Sequence, residues 1–128
     1  MRRCLLLLLA LLMHASAWAH KPSDSYVTLR ATADSDDIAV RWDIALRDLD
    51  YVLELDRDGN GALTWGEVRQ REGDITRYAT THLALTAADK ACSWEITGPM
   101  MLDKHSDGTY AVLALAAKCD NLDKGLKA

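Results

Sequence analysis

Positive charge is in short supply in this chain of 128 residues, where 15 Lys and Arg stand against 19 Asp and Glu for a net charge of −4. That deficit argues against nucleic acid or an anionic membrane surface as the partner, because both are bound through basic patches. Cysteine is scarce too, with three in all. Neither Cys92 nor Cys119 has a second Cys or a His at ligand spacing, which weighs against a thiolate metal cluster. No apolar run approaches the ~20 residues that span a bilayer as a helix. There is no internal repeat, no low-complexity linker and no motif that sets a Ser or Cys nucleophile beside a His and an acid. The chain therefore reads as a non-enzyme.

What is present begins with a leader. Arg2 and Arg3 give a positive start, residues 5–13 form a short apolar core, and Ala17-Trp18-Ala19 supplies small residues at a cleavage point. These are the three parts of a secretory signal peptide, expected over residues 1–19. Its removal takes two arginines and no acid, so the secreted or periplasmic remainder is more acidic still. His20 then becomes the N-terminus, where an α-amine and an imidazole together can chelate copper or nickel. Pro22 excludes the simple motif in which the amine and a third-position His share the ion. An oxidising compartment also favours a disulfide. Alternation places Cys92 with Trp94 and Ile96, and Cys119 with Leu113, Leu115 and Ala117, on apolar strand faces. A Cys92–Cys119 bond is expected, two free buried thiols being the alternative.

The most constrained stretch is residues 56–67, Asp-Arg-Asp-Gly-Asn-Gly-Ala-Leu-Thr-Trp-Gly-Glu. A hard divalent ion needs six to eight oxygen ligands on a tightly turned backbone, and this segment supplies them in order. Asp56, Asp58 and Asn60 offer side-chain oxygens, Ala62 a backbone carbonyl, and Thr64 a hydroxyl that binds directly or through water. Glu67 can close the shell with both carboxylate oxygens, which suits calcium better than magnesium. Gly61 permits the sharp turn that a Cβ would resist. Leu63 is apolar where the middle of the loop should pack inward. On these residues the segment resembles the calcium loop of the EF-hand superfamily, and the resemblance implies a helix on each side. Leu49, Val52 and Leu53 fall at helical spacing before it. Val68, Ile75, Ala79 and then His82 do so after it, with a cap or kink at Gly73-Asp74. A second loop starting at Asp103 fails because Ala114 would stand at its closing position, so the hand is single.

Outside this segment the period is two. Ile38, Val40, Trp42, Ile44 and Leu46 alternate with Ala39, Arg41, Asp43, Ala45 and Arg47. Further strands are expected over residues 26–33, 83–86, 91–97, 100–103 and 109–117. Turn residues separate them at Asp34-Ser35-Asp36-Asp37, Ala88-Asp89-Lys90, Gly98-Pro99 and Ser106-Asp107-Gly108. The expected class is α+β: a single domain over residues 20–128, a small antiparallel sheet or sandwich with the EF-hand helix–loop–helix inserted at about 47–82. Met100 and Met101 lie in a strand rather than beside the loop, so calcium is expected to be structural rather than to open a sensor groove.

A second, less specific resemblance rests on His20-Lys21-Pro22-Ser23-Asp24-Ser25-Tyr26 and on Arg41-Trp42-Asp43-Ile44-Ala45-Leu46-Arg47-Asp48-Leu49-Asp50 followed by the loop. These segments resemble the secreted N-terminal region of bacterial HupE/UreJ-like membrane proteins, which continue into several membrane helices. The resemblance implies an extracytoplasmic interaction domain in a membrane-adjacent setting, with the protein partner left open.

Overall fold

The structure, a computed structural model, describes residues 24–31, 37–120, 122 and 125–127. The leader, His20 and most of the acidic turn after the first strand lie outside them. In chain order the elements are β1 (Ser25–Ala31), β2 (Asp37–Ala45), α1 (Leu46–Leu53), α2 (Trp65–Gln70), α3 (Glu72–His82), β3 (Thr86–Ala87), β4 (Lys90–Ala91), β5 (Ser93–Ile96), β6 (Met101–His105), β7 (Gly108–Lys118) and β8 (Leu126–Lys127).

The long strands β2 and β7 run antiparallel along their full length, from Asp37 opposite Lys118 to Ala45 opposite Tyr110. β1 adds to the free side of β2, and β5 and β6 pair in turn with the two ends of β7. The period-two pattern explains the layering. Ile38, Val40, Trp42 and Ile44 share a face with Ala111, Leu113, Leu115 and Ala117, and all eight are buried in one cluster. The helices contribute Leu46, Leu49, Val68, Ile75 and Ala79 to that cluster, so they cover this face of the sheet. Each large side chain buried there contributes about 1.5–3 kcal/mol of transfer free energy. α1 has eight residues and no side-chain N-cap bond. A helix this short is marginal by itself, and the burial of Leu46 and Leu49 holds it in place. The other face carries Ala39, Arg41, Asp43 and Ala45 opposite Ala116, Ala114, Val112 and Tyr110.

The mixed class and the antiparallel sheet agree with the sequence reading, and three helices stand between β2 and β3. Several details differ. Leu46 opens α1 instead of closing β2, because its side chain joins Leu49 in the core one helical turn on. Val52 faces solvent at 46% exposure, and the buried face runs through Leu46 and Leu49 to partly buried Leu53. The helical stretch after the loop breaks at Arg71, not at Gly73. There the Arg71 N–H turns back to the Val68 carbonyl at 3.1 Å, and the guanidinium bonds the Asp74 carboxylate at 2.7 Å. Residues 83–85 form no strand; only Thr86–Ala87 pairs, within a three-stranded ribbon ordered β4-β3-β8. Its turn puts Ala88 and Asp89 at φ 49° and 62°, as a two-residue primed hairpin turn requires.

Cys92 and Cys119, both buried, bring their sulfurs to 2.02 Å, the bonding distance of a disulfide, and so join the start of β5 to the end of β7. A sequence separation of 27 corresponds to about 3–4 kcal/mol on the loop-entropy account. No helix among the described residues is long and apolar enough to cross a membrane.

Candidate metal centre

The loop is built from both ends inward. α1 ends where Glu54 takes a left-handed conformation, φ 52°, and donates its N–H to the Asp50 carbonyl at 2.7 Å. Leu55, with no exposed surface, then plugs the chain into the core. At the far end, Thr64 is the N-cap of α2. It accepts the Glu67 N–H at 3.3 Å, while the Glu67 carboxylate accepts the Thr64 N–H at 2.9 Å. This reciprocal capping box satisfies two orphan donors of the helix end. Val68 follows, also fully buried. Two core plugs thus pin a loop whose middle is solvent-exposed.

Between the plugs, one carboxylate organises the turn. Asp56 accepts the N–H of Gly59 at 2.9 Å, of Asn60 at 3.2 Å and of Gly61 at 2.7 Å. Wrapping three successive amides round one side chain requires left-handed backbone, and Gly59 and Gly61 adopt φ 70° and 80°. Asp58 accepts the Asn60 N–H at 3.1 Å and the Asn60 side-chain amide at 2.8 Å. The Asn60 side-chain oxygen Oδ1 accepts the Ala62 N–H at 2.8 Å. Glu67 reaches back across the ring to the Arg57 N–H at 3.2 Å and takes the Thr64 hydroxyl at 2.8 Å. Leu63 packs against the core, as its apolar character led us to expect.

The hydrogen bonds set the charge. Backbone N–H donation, foremost from Gly61, holds the Asp56 carboxyl below its ordinary value. Donation by the Thr64 N–H and then its hydroxyl does the same for Glu67. Both groups are therefore ionised at neutral pH. Asp56, Asp58 and Glu67 each present an oxygen, and the three oxygens lie within 4.8 Å of one another. Calcium ligands sit at 2.3–2.6 Å, so ligands on opposite sides of the ion are about 4.6–5.2 Å apart. The donor set and its spacing fit such an ion. Trp65, half-exposed inside the loop, is placed to report on it.

A second group on the open face of the sheet escaped the sequence reading, which placed His105 at a turn and set Asp103 aside with the failed second loop. Asp43, 4% exposed, is the one buried charged residue among those described. Its carboxylate accepts Arg41 Nε at 2.7 Å and Nη2 at 2.8 Å, and lies 3.1 Å from His105 Nε2. Arg41 also donates to Asp103 at 2.7 Å. Tyr26 stacks on His105 at 5.1 Å, and Tyr110 packs against it at 4.2 Å. Burial and a bond to Asp107 push the Tyr110 hydroxyl up to about 12. Asp43, Asp103 and His105 also bring ligand atoms within 4.8 Å, but the Arg41 guanidinium occupies the position of the cation. Alternation in β2 put Arg41 and Asp43 on one polar face; the pairing across β7 that adds Asp103 and His105 had no sequence signal.

His82 differs from expectation. It is exposed at the end of α3, with Nδ1 2.7 Å from the Tyr78 carbonyl, and does not join Ile75 and Ala79 in the core. The proposed copper or nickel ligand His20 lies outside the described residues. No protein-family model matches the chain, and no match was found among curated proteins or solved structures.

Proposed function

We propose that residues 56–67 bind calcium as a single EF-hand-type loop, and that the ion stabilises the helix–loop–helix against the sheet. The observation that carries the reading is the convergence of three carboxylates within 4.8 Å, one of them fixed by three backbone N–H groups. Asn60, the Ala62 carbonyl and Thr64 are the remaining oxygen donors, and Glu67 closes the shell. The Cys92–Cys119 pair suits an extracytoplasmic compartment, where weak sites of about 10⁻⁵–10⁻³ M operate.

A structural rather than sensory role is supported by what the helices bury. Leu49, Leu55, Val68, Ile75 and Ala79 have no exposed surface, so opening the hand would take the core apart. Met100, the kind of side chain that lines a sensor groove, lies just before β6 and not in it, contrary to the expectation above; it is buried with its N–H bonded to Glu72 of α3.

The test is a calcium titration followed by tryptophan emission and thermal unfolding. At a hundredfold excess over Kd the ion should add about 2.7 kcal/mol to stability. Glu67→Gln should lose the response. Silence of the parent chain at millimolar calcium would sink the proposal, and a calcium-dependent rise in hydrophobic-dye binding would reassign the ion to a sensor role.

A further inference from the structure

We infer that Asp50, outside the twelve-residue loop, is the positioning residue that sets the first calcium ligand in place, an inference that rests on the calcium reading above. In an unbroken helix the N–H of Asp56 would bond to the Val52 carbonyl four residues back. That bond is lost here, because Glu54 turns left-handed and Leu55 dives into the core. The Asp56 N–H is taken instead by the Asp50 carboxylate, at 2.9 Å. Asp50 therefore accepts twice from the chain that leaves α1: its carbonyl takes the Glu54 N–H at 2.7 Å, and its side chain takes the Asp56 N–H. On the opposite side, Arg71 donates to the Glu54 carbonyl at 3.4 Å. The exit of α1 is held from both directions.

The consequence for the ion follows from the order of constraints. Asp56 binds through its carboxylate, which the N–H groups of Gly59, Asn60 and Gly61 orient. Those bonds fix the carboxylate relative to the loop, not relative to α1. The Asp50 bond ties the Asp56 backbone to α1 beside the Leu55 anchor, and through α1 to the sheet. Asp50 also lines a cleft of about 480 Å³ with Gly61, Leu63 and Thr64, so it faces the second half of the loop as well as bonding the first. Without it the ligand ring can still form, but it must be ordered on binding, and that ordering lowers affinity.

The experiment compares Asp50→Ala and Asp50→Asn in the full chain, by calorimetric titration with calcium chloride and by amide exchange at Asp56 in calcium-free protein. Asp50→Ala should weaken calcium binding about tenfold, the scale of a lost hydrogen bond to a charged acceptor. It should also speed exchange of the Asp56 N–H. Asn retains an acceptor oxygen, so Asp50→Asn should bind within about threefold of the parent and keep that amide protected. Binding by Asp50→Ala within twofold of the parent overturns the inference. Equal weakening in both variants also overturns it, by assigning the effect to charge near the ion. Failure of the parent chain to bind calcium is a failure of the proposed function itself, and it is read in a different arm of the experiment.

Discussion

Two carboxylate groups in this molecule have nearly the same reach and opposite needs. The loop brings together Asp56, Asp58 and Glu67, and the open face of the sheet brings together Asp43, Asp103 and His105, each set within 4.8 Å. On the sheet, Arg41 supplies the positive charge from the same chain, through three bonds of 2.7–2.8 Å. In the loop the partners are neutral amides and hydroxyls, which orient carboxylates and keep them ionised but cancel no charge. Proximity of acids is therefore not what marks a metal site. The mark is a set of preorganised anions that the chain has left without a cation. The sheet group, complete in itself, reads as a structural ion-pair network beneath a layer of aromatic rings.

Acid should give the largest effect and act on the loop. Asp56 and Glu67 have folded-state values depressed by N–H donation, so the stability they contribute is fully present above the ordinary carboxylate range and drains away as pH falls through the depressed values. In the proposed site, calcium would compete with protons at those same oxygens. The dissociation constant should therefore stay level from neutral pH down to the ordinary carboxylate range and weaken only as pH falls below it. Asp103 is likewise depressed, in its case chiefly by the Arg41 bond, so the sheet group drains over the same acid range without any dependence on calcium. A loss of calcium affinity centred above pH 5 would show that the amide cradle does not hold the loop carboxylates ionised.

Removing the centre of the other group should divide the comparison the other way. Asp43→Ala leaves Arg41 and His105 facing a void where a buried carboxylate accepted from both. A lost buried acceptor for the charged Arg41 donor costs about 1.5–3 kcal/mol, so urea unfolding should shift by about 2 kcal/mol. The calcium dissociation constant should remain within about twofold, because the two groups share no hydrogen-bond partner and sites of that kind are additive. A matching loss of calcium affinity would show that the two groups are coupled through β2 and α1.

How much of this was legible beforehand depended on the range of the signal. The turn of the loop was legible because its determinants are local, and left-handed Gly61 stands where the sequence asks for a sharp turn. β2 was legible because alternation is local. The break after α2 was misplaced to Gly73, the poorest helix former nearby, yet Gly73 sits inside α3 and Arg71 makes the break. A glycine costs a helix about 1 kcal/mol, less than the burial of Ile75 returns. Of the sheet group only Arg41 and Asp43, which alternation sets on one face of β2, could be read. Arg41 and Asp103 are separated by 62 positions, and only the order β2-β7-β6 brings them into reach.

The smallest effect is expected at Gly61, and it isolates backbone geometry from ligand chemistry. A Cβ at this position meets nothing within 4 Å, so Gly61→Ala adds no clash. It does place a side chain at φ 80°, which costs an L-residue roughly 1–2 kcal/mol. In calcium-free protein the exposed loop can relax, releasing the Gly61 N–H from Asp56, so little of that cost should appear in the unfolding midpoint. Calcium binding forces the turn back, and the strain should then appear as affinity, a loss of about fivefold to thirtyfold. Calorimetry paired with calcium-free unfolding separates the two. If the calcium-free protein carries the whole cost and the affinity is unchanged, the turn is locked by the fold alone, and the amide bonds to Asp56 are not what the ion relies on.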